Sequence, residues 1–582
     1  MNLFDTLRQD VLQAIADRQA AGDLPDGIDA NRVTAEPPRD SSHGDAATNA
    51  ALVLAKQAKM PPMQIAELLA ADLALLKDVS AVDIAKPGFI NLRMTDDFWR
   101  LQVRHVLLGG KDYGRADLGK GEMVNVEYCS ANPTGPLHIG HVRGTTYGDA
   151  LAKLLEKMGW SVTREYYIND GGIQIENLAR SVHHRYLEAL DAAPPEPPEG
   201  WYPGDYLVPL GQKIAEEDKE RWQHAAEVDW MPVFRSRALG AMMAMIRDDL
   251  VALGVEHDVF TSEAAMVDEG KIDEAFALLE DMDLVYEGTL PPPKGKPVDD
   301  WEPVPLLLFR ATRFGDDIDR PLKNSSGELT YFGKDLAYHF DKYRRGARQL
   351  VDVFGADHGG YVKRMQAAVK ALSQGDGSLN VKLCQMVNLM EGGQPVKMSK
   401  RAGQIVTLRE VVDKVGRDVV RFIMLTRRND AQLDFDLKEV TEKSRDNPVF
   451  YVQYAHARIC SVQRSAKEAG LPIDPVQLAD ADLGLLGDPA ELVVIKQLAQ
   501  YPRVLASAAL QHEPHRIAFY LGDLAGSFHA LWNQGKEQPS LRFLVSDSAS
   551  LSTARLALIG AVQTVIASGL DVMGVEPVEE MI

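Results

Sequence analysis

The sequence predicts a multidomain α/β protein. Three features carry the prediction: a strand–turn–helix–strand unit beginning near residue 123, a renewed alternation of strands and helices between residues 306 and 354, and a closing stretch of helices alone. At 582 residues, with 45% hydrophobic and 25% charged residues, the chain has ordinary globular composition and room for more than one apolar core.

Residues 1–115 read as an α+β module. Helical patterning runs through 4–20, 45–59 and 63–76, and an extended stretch over 79–92 is broken by Pro87-Gly88. The first twenty residues carry Asp5, Arg8, Asp10, Asp17 and Arg18, so they form no apolar secretion signal. Glycines and charges over 107–119 read as a linker.

Residues 123–128 (MVNVEY) alternate as a strand does. The prolines and glycine of 131–136 impose a turn. A helix with Tyr147, Leu151, Leu154, Leu155 and Met158 on one face follows, ended by Gly159, and a second strand covers 162–168. A strand, a crossover helix and a strand imply a parallel, doubly wound sheet. The proline-rich run at 193–200 and an acidic helix interrupt the pattern and read as an insertion. Strands are expected at 306–309, 329–332 and 349–354, and from 437 onward helices dominate. The apolar stretch 556–570 reads as a core helix rather than a membrane span. With three widely separated cysteines, Cys129, Cys384 and Cys460, this places the protein in a reducing cytoplasm as a soluble chain.

A formal charge of −21, taken alone, argues against a nucleic-acid binder, because phosphate contacts need Lys and Arg. Charge is local, however, and between Lys397 and Arg428 basic residues outnumber acidic ones.

Two short motifs carry chemistry. His138-Ile139-Gly140-His141 falls at the start of the helix after the first strand, where open parallel sheets bind nucleotides and helix N–H groups face phosphate. Two imidazoles there can donate to phosphoryl oxygens, and Gly140 leaves room for adenine against the backbone. Lys397-Met398-Ser399-Lys400 places two lysines three apart, suited to a departing polyphosphate.

In that order, the HxGH and KMSK motifs resemble the signature of class I aminoacyl-tRNA synthetases. Residues 126–148 (VEYCSANPTGPLHIGHVRGTTYG), 164–174 (REYYINDGGIQ), 327–340 (GELTYFGKDLAYHF), 447–458 (NPVFYVQYAHAR) and 575–581 resemble the arginyl-tRNA synthetases in particular. The resemblance implies a Rossmann-type catalytic domain over 116–436, with an insertion around 175–265 and a KMSK loop region near 390–430. It implies an N-terminal additional domain over 1–115 that contacts the tRNA elbow, and an all-α anticodon-binding domain over 437–582. The implied activity is arginine–tRNA ligation: arginine and ATP give arginyl-adenylate and pyrophosphate, and the 2′-OH of the terminal adenosine of tRNA(Arg) then takes the arginine. Magnesium is expected with ATP, no dedicated protein metal site is expected, and the implied state is a monomer whose arginine activation requires bound tRNA.

Site roles follow from the same resemblance. His138, His141, Lys397 and Lys400 act on phosphates, with Gly140, Met398, Ser399 and Asp357 completing the ATP site. Glu127 and Asn132 hold the α-amino end of arginine; Tyr331, Asp335, Asp357 and His358 line the rest of its pocket. A carboxylate at Asp335 can meet a guanidinium through two hydrogen bonds, which lysine cannot reproduce. It also fits a helix start favoured by the macrodipole. Tyr451, Tyr454, Phe528, Trp532 and Met581 are the expected tRNA contacts, although aromatic residues one helical turn apart also suit a core, and Phe528 stands where the family often has tyrosine. In many relatives a lysine precedes the histidine motif and the KMSK lysines are lost. Here Gly135 occupies that earlier position and the KMSK lysines are present, which assigns the pyrophosphate contacts to Lys397 and Lys400. Two other readings fit parts of the pattern: a class I synthetase for glutamine, cysteine or lysine, and a non-catalytic tRNA-binding paralogue. The second predicts loss of a catalytic histidine or lysine, and all four are present.

Overall fold

The computed structural model describes residues 2–38, 40–192, 200–291, 304–396, 406–444 and 446–581. The chain forms two compact units: Met1–Ala116 with Ser444–Val572 and Glu576–Ile582, and Asp117–Lys443 with Met573–Val575.

The first unit opens with α1 (Leu3–Ala20), which buries Leu3, Phe4, Leu7, Val11, Ala14 and Ile15 on one face. A small antiparallel sheet follows, built from β1 (Ala35–Glu36) and β2 (Ala46–Thr48), then β3 (Val79–Ala85) and β4 (Phe89–Met94), in the order β1-β2-β4-β3. Between β2 and β3 lie α2 (Ala50–Ala58) and α3 (Pro62–Leu73). The Pro87-Gly88 break falls in the β3–β4 turn. The segment read as a linker is in part helical: α4 (Asp96–Gly109) starts at Thr95, whose hydroxyl caps the Phe98 N–H, carries Asp96 and Asp97 in its first turn, and ends at Gly110. Although residues 1–115 and the C-terminal helices read as separate modules in sequence, they share this unit.

The central unit holds the parallel sheet. Its strands β5 (Met123–Glu127), β6 (Ser161–Ile168) and β7 (Val259–Ser262) run outward on one side. The crossover from β5 to β6 is α5 (Ile139–Lys157). From β6 to β7 the chain makes the insertion: α6 (Ile173–Ala189), α7 (Val208–Asp218) and α8 (Glu227–Ala252), with an apolar core of their own around Leu178, Tyr186, Leu207, Trp230 and Phe234. After β7 come α9 (Glu263–Asp268), α10 (Lys271–Asp281) and a three-stranded antiparallel sheet of β8 (Val285–Gly288), β9 (Leu306–Phe309) and β10 (Arg320–Pro321).

The next element departs from the sequence reading. Residues 329–332 do not form a strand; α11 (Tyr331–Arg344) begins there, capped by Thr330, whose hydroxyl accepts the Gly333 N–H at 3.0 Å and donates to the Pro321 carbonyl at 2.8 Å. A four-residue alternation is too short to outweigh a threonine cap. Thr330→Ala is expected to cost about 1 kcal/mol of stability, read as a lower urea midpoint.

The chain then returns to the sheet as β11 (Gln349–Gly355), α12 (Val362–Leu372) and β12 (Ser378–Cys384). The five-stranded sheet has the order β12-β11-β5-β6-β7, and every neighbouring pair is parallel. The winding direction reverses between β5 and β11, the crevice in which doubly wound sheets bind ligands. The unit closes with β13 (Val387–Glu391), β14 (Gln394–Pro395), α13 (Leu408–Val415), α14 (Arg417–Met424) and β15 (Leu433–Asp436), which pairs parallel to β13.

The C-terminal helices of the first unit are α15 (Pro448–Glu468), α16 (Pro475–Ala479), α17 (Pro489–Gln511), α18 (His515–Glu537) and α19 (Ala549–Met573). The α4 helix packs on α16 and α17: Arg100 Nε donates to the Leu486 carbonyl at 2.8 Å and Arg104 Nε to the Ala479 carbonyl at 2.6 Å. Helix α19 is longer than the 556–570 stretch suggested, and 78% of its most apolar window is buried inside the protein, as expected of a core helix.

Candidate active site

The loop from β5 to α5 is held by hydrogen bonds from several surrounding elements. Tyr166 Oη donates to the Ala131 carbonyl at 2.7 Å, Tyr206 Oη to the Thr134 carbonyl at 2.7 Å, and His257 Nε2 to the Tyr128 carbonyl at 3.2 Å; Asp249 accepts the Leu137 N–H at 3.1 Å. At its start Cys129 and Ser130 both have positive φ, 71° and 30°. Non-glycine residues adopt that region at a cost of about 1–3 kcal/mol each, which the surrounding bonds offset.

At the end of this loop His138 is the N-cap of α5. Its Nδ1 accepts the Gly140 N–H at 3.1 Å, and His141 Nδ1 accepts the His138 N–H at 3.3 Å. The two rings stack with centroids 3.9 Å apart. An accepting Nδ1 puts the ring proton on Nε2, so each imidazole presents an N–H donor beyond the cap. A Cβ at Gly140 would sit 3.0 Å from the His138 ring, so glycine preserves the stack.

The backbone of this motif is bonded to the chain that follows residues 397–405. His138 pairs with Thr407 in an antiparallel bridge, Ile139 N donates to the Val406 carbonyl at 3.3 Å, and Leu408 N to the Leu137 carbonyl at 2.8 Å. Lys397, Met398, Ser399 and Lys400 lie outside the described residues. Lys400 is seven positions from Thr407, a span of about 25 Å at most when extended.

Across the switch point, Asp357 and His358 follow the carboxyl end of β11. Both are exposed, with His358 Nε2 3.8 Å from Asp357 Oδ2. Asn132 is exposed and donates to Gln174 Oε1 at 3.0 Å. Tyr331, at the start of α11, is 71% exposed and therefore no core aromatic. Asp335, one turn further, is half-buried, and its Oδ2 accepts the Tyr361 hydroxyl at 2.5 Å. Burial pushes the Asp335 carboxyl up to about 6, against the Tyr361 hydrogen bond, which favours its charged form.

Glu127, the last residue of β5, is buried among charges that the motifs did not reveal. It pairs in register with Glu165 on β6 and with Asp352 on β11, so three carboxylates lie side by side across the central strands. Helix α11 and its C-cap residue Arg345 supply the countercharges. Lys342 Nζ, fully buried, donates to Glu127 Oε2 at 2.5 Å and to Asp352 Oδ1 at 3.1 Å. His339 Nε2 lies 2.7 Å from Asp352 Oδ2, and Arg345 Nη2 donates to both oxygens of Glu165 at 2.8 Å. Ser130 Oγ donates to Glu127 Oε1 at 2.9 Å. Glu127, His339 and Asp352 have ligand atoms close enough for a metal ion, but the Lys342 ammonium bridges the two carboxylates, so a divalent cation does not fit there. A further carboxylate, Glu263, accepts Tyr167 Oη at 3.0 Å and Lys334 Nζ at 2.7 Å. A signal for His339 and Lys342, which the motifs missed, did exist: with the already singled-out Asp335 they recur at i, i+4 and i+7, a polar stripe along one face of the helix.

On the C-terminal helices the aromatics divide. Arg458 lies over the Tyr454 ring at 4.0 Å and near Trp532 at 5.0 Å, and donates to Tyr454 Oη at 2.9 Å. Tyr451, Tyr454, Trp532 and Met581 are partly exposed. Phe528 is not a surface residue: it is fully buried and stacks on Phe543 at 5.9 Å, so it has no ring face to offer a base and its expected tRNA contact is corrected to a core role.

Three family models match the chain: the arginyl tRNA synthetase N terminal domain over residues 5–94, the tRNA synthetases class I (R) catalytic domain over 102–195, and the DALR anticodon binding domain over 452–581. The arginine–tRNA ligase of Rhodospirillum rubrum is 55% identical over 591 residues, covering 100% of both chains, and that of Ruegeria pomeroyi is 55% identical over 581 residues with the same coverage. The chain belongs to the arginyl-tRNA synthetase family. The solved arginyl-tRNA synthetase of Thermus thermophilus superposes with a TM-score of 0.74 over 100% of both chains at 23% identity, a likeness of fold. The parallel sheet with a separate C-terminal helical region is thus the architecture of an arginyl-tRNA synthetase, and class I membership implies use of ATP.

Proposed function

We propose that the chain is an arginine–tRNA ligase that works in two steps within the crevice between β5 and β11. The arginine carboxylate attacks the α-phosphorus of ATP, releasing pyrophosphate, and the 2′-OH of the terminal adenosine of tRNA(Arg) then takes the arginyl group. The observation that supports this best is the backbone pairing of His138 with Thr407, which ties the imidazole pair to the chain carrying Lys397 and Lys400. The Nε2–H donors of His138 and His141 meet charge as it develops on phosphoryl oxygens, and Lys397 and Lys400 neutralise the departing pyrophosphate. Magnesium arrives as part of MgATP, where it shields the phosphates. Met398, Ser399, Gly140 and Asp357 complete the nucleotide site.

Glu127 and Asn132 take the α-ammonium end of arginine. Asp335 takes the guanidinium, assisted by Tyr331 and His358. Tyr454, Trp532, Tyr451 and Met581 form the anticodon-facing surface, residues 1–115 meet the tRNA elbow, and the enzyme acts as a cytoplasmic monomer. Charging unfractionated tRNA with each of the twenty amino acids in turn tests the assignment: arginine alone is expected to give aminoacyl-tRNA, and a different amino acid would overturn it. In ATP–pyrophosphate exchange, arginine is expected to support turnover only with tRNA present. Lys400→Ala is expected to slow that exchange at least ~10-fold while the fold persists; wild-type exchange in that variant would remove its role.

A further inference from the structure

We propose that His339 is a positioning residue that carries a permanent positive charge: its imidazolium satisfies Asp352 and so leaves Lys342 to serve Glu127, the carboxylate read above as the site for the arginine α-ammonium. The proposal rests on that reading of Glu127.

The charge on His339 follows from its partners. Nδ1 lies 2.7 Å from the Asp335 carbonyl oxygen and Nε2 lies 2.7 Å from Asp352 Oδ2. A carbonyl oxygen and a carboxylate both accept, so both ring nitrogens must donate, and only the imidazolium has two N–H groups. His339 is 3% exposed. Asp352 is consistent with this. Burial alone would raise it, but Lys342 and His339 hold its carboxyl well below the usual range, so it stays an acceptor. Burial acts against the charge on His339 too, and Asp352 reverses it and raises the ring above its ordinary value.

The carboxylate row explains why the charge is needed. Glu165, Glu127 and Asp352 lie on adjacent strands in register, and like charges facing each other across strands repel. Arg345 answers Glu165. The remaining two carboxylates share Lys342, and burial pushes Glu127 up while Lys342 opposes that rise. Without the His339 charge, Asp352 has Lys342 alone and draws on it at the expense of Glu127, which then takes a proton more readily. The groups facing the cluster are Glu127 from β5, Glu165 and Tyr167 from β6, Asp352 from β11, Asp335, Tyr338 and Lys342 from α11, and Arg345 at its C-cap. Lys342 also lies 4.3 Å from the Tyr338 ring, which favours its charge.

Two measurements on the full-length protein test this. In perdeuterated protein labelled with 15N-histidine, the ring signals absent from both His339→Gln and the double variant His339→Gln/Asp352→Asn identify His339. Both nitrogens are expected to carry protons throughout pH 6.5–9; a single-proton ring at pH 8 would overturn the proposal whatever Glu127 does. In kinetics, His339→Gln is expected to raise KM for arginine ~10-fold and hold KM for ATP within about twofold. The double variant, which removes one charge of each sign, is expected to recover most of that loss, whereas a role confined to packing makes it worse than the single change. Glu127→Gln separates the two readings. If it raises KM for arginine and His339→Gln does not, the His339 role fails; if neither does, the reading of Glu127 fails.

Discussion

Asp335→Asn is expected to raise KM for arginine by roughly 30- to 5,000-fold, the span that follows from removing one partner of a desolvated charge pair at about 2–5 kcal/mol. Asparagine has nearly the same shape, and its oxygen can still accept the Tyr361 hydroxyl, so the local fold is expected to survive. What disappears is the negative charge proposed to meet the guanidinium. KM for ATP is expected to stay within a few-fold, since the proposed site gives Asp335 to the amino acid and not to the nucleotide. The pH profile gives an independent reading. Because burial pushes the Asp335 carboxyl up to about 6, it is charged above that pH and loses its charge below it. In the wild type, kcat/KM for arginine should therefore be full above pH 7 and fall as the pH drops through about 6, a profile that reports the free enzyme. Tyr361→Phe removes the hydrogen bond that favours the charged form and is expected to shift this limb to higher pH. An Asp335→Asn enzyme with the wild-type KM for arginine would show that the guanidinium sits elsewhere.

The second large effect is expected at His141. The imidazole does two jobs with two atoms: Nδ1 accepts the His138 N–H at 3.3 Å and, by elimination, Nε2 carries the donor. Asparagine can imitate the first atom and glutamine the second. If the donor matters for turnover, His141→Asn should lower kcat for ATP–pyrophosphate exchange about 10²–10³-fold, the range seen when one donor to developing charge is lost. His141→Gln should lose much less. A larger loss in His141→Gln than in His141→Asn would mean that the helix cap, and not the phosphate contact, is what the residue supplies. KM for ATP is expected to change little in either, because the contact strengthens as charge develops.

Much of the fold was legible in the sequence because local signals and tertiary structure agree there. The alternation of 123–128, the prolines of the following turn and the helical face from Tyr147 to Met158 all name the same βαβ unit, and the sheet follows from right-handed crossovers. Two misreadings have local causes. The charged glycine-rich segment after residue 107 hid the helix before it, although Thr95-Asp96-Asp97 is a recognisable helix start. A brief apolar alternation at 329–332 suggested a strand where Thr330 begins α11. The chemistry was less legible. Glu127 and Asp335 stood out by resemblance, but nothing in the chain order shows that Glu127 lies between Glu165 and Asp352, because strand register is set only when the sheet assembles. Phe528 illustrates the same limit on a helix: its ring could face a base or the core, and only packing against Phe543 decides.

The packing of α4 against the C-terminal helices has a consequence for biosynthesis. The Arg100 Nε must wait for the Leu486 carbonyl, 386 residues later in the chain, whereas its Nη1 finds Asp97 within the same helix. At ribosomal rates of roughly 5–20 residues per second, that is an interval of about 20–80 s. Residues 117–443, the bulk of the unit that holds the parallel sheet, emerge within that time, whereas the apolar face of α4 stays uncovered on the nascent chain. A polypeptide released before residue 444 never covers it, which makes this amino-terminal helix the natural handle for chaperones and proteases to recognise unfinished copies.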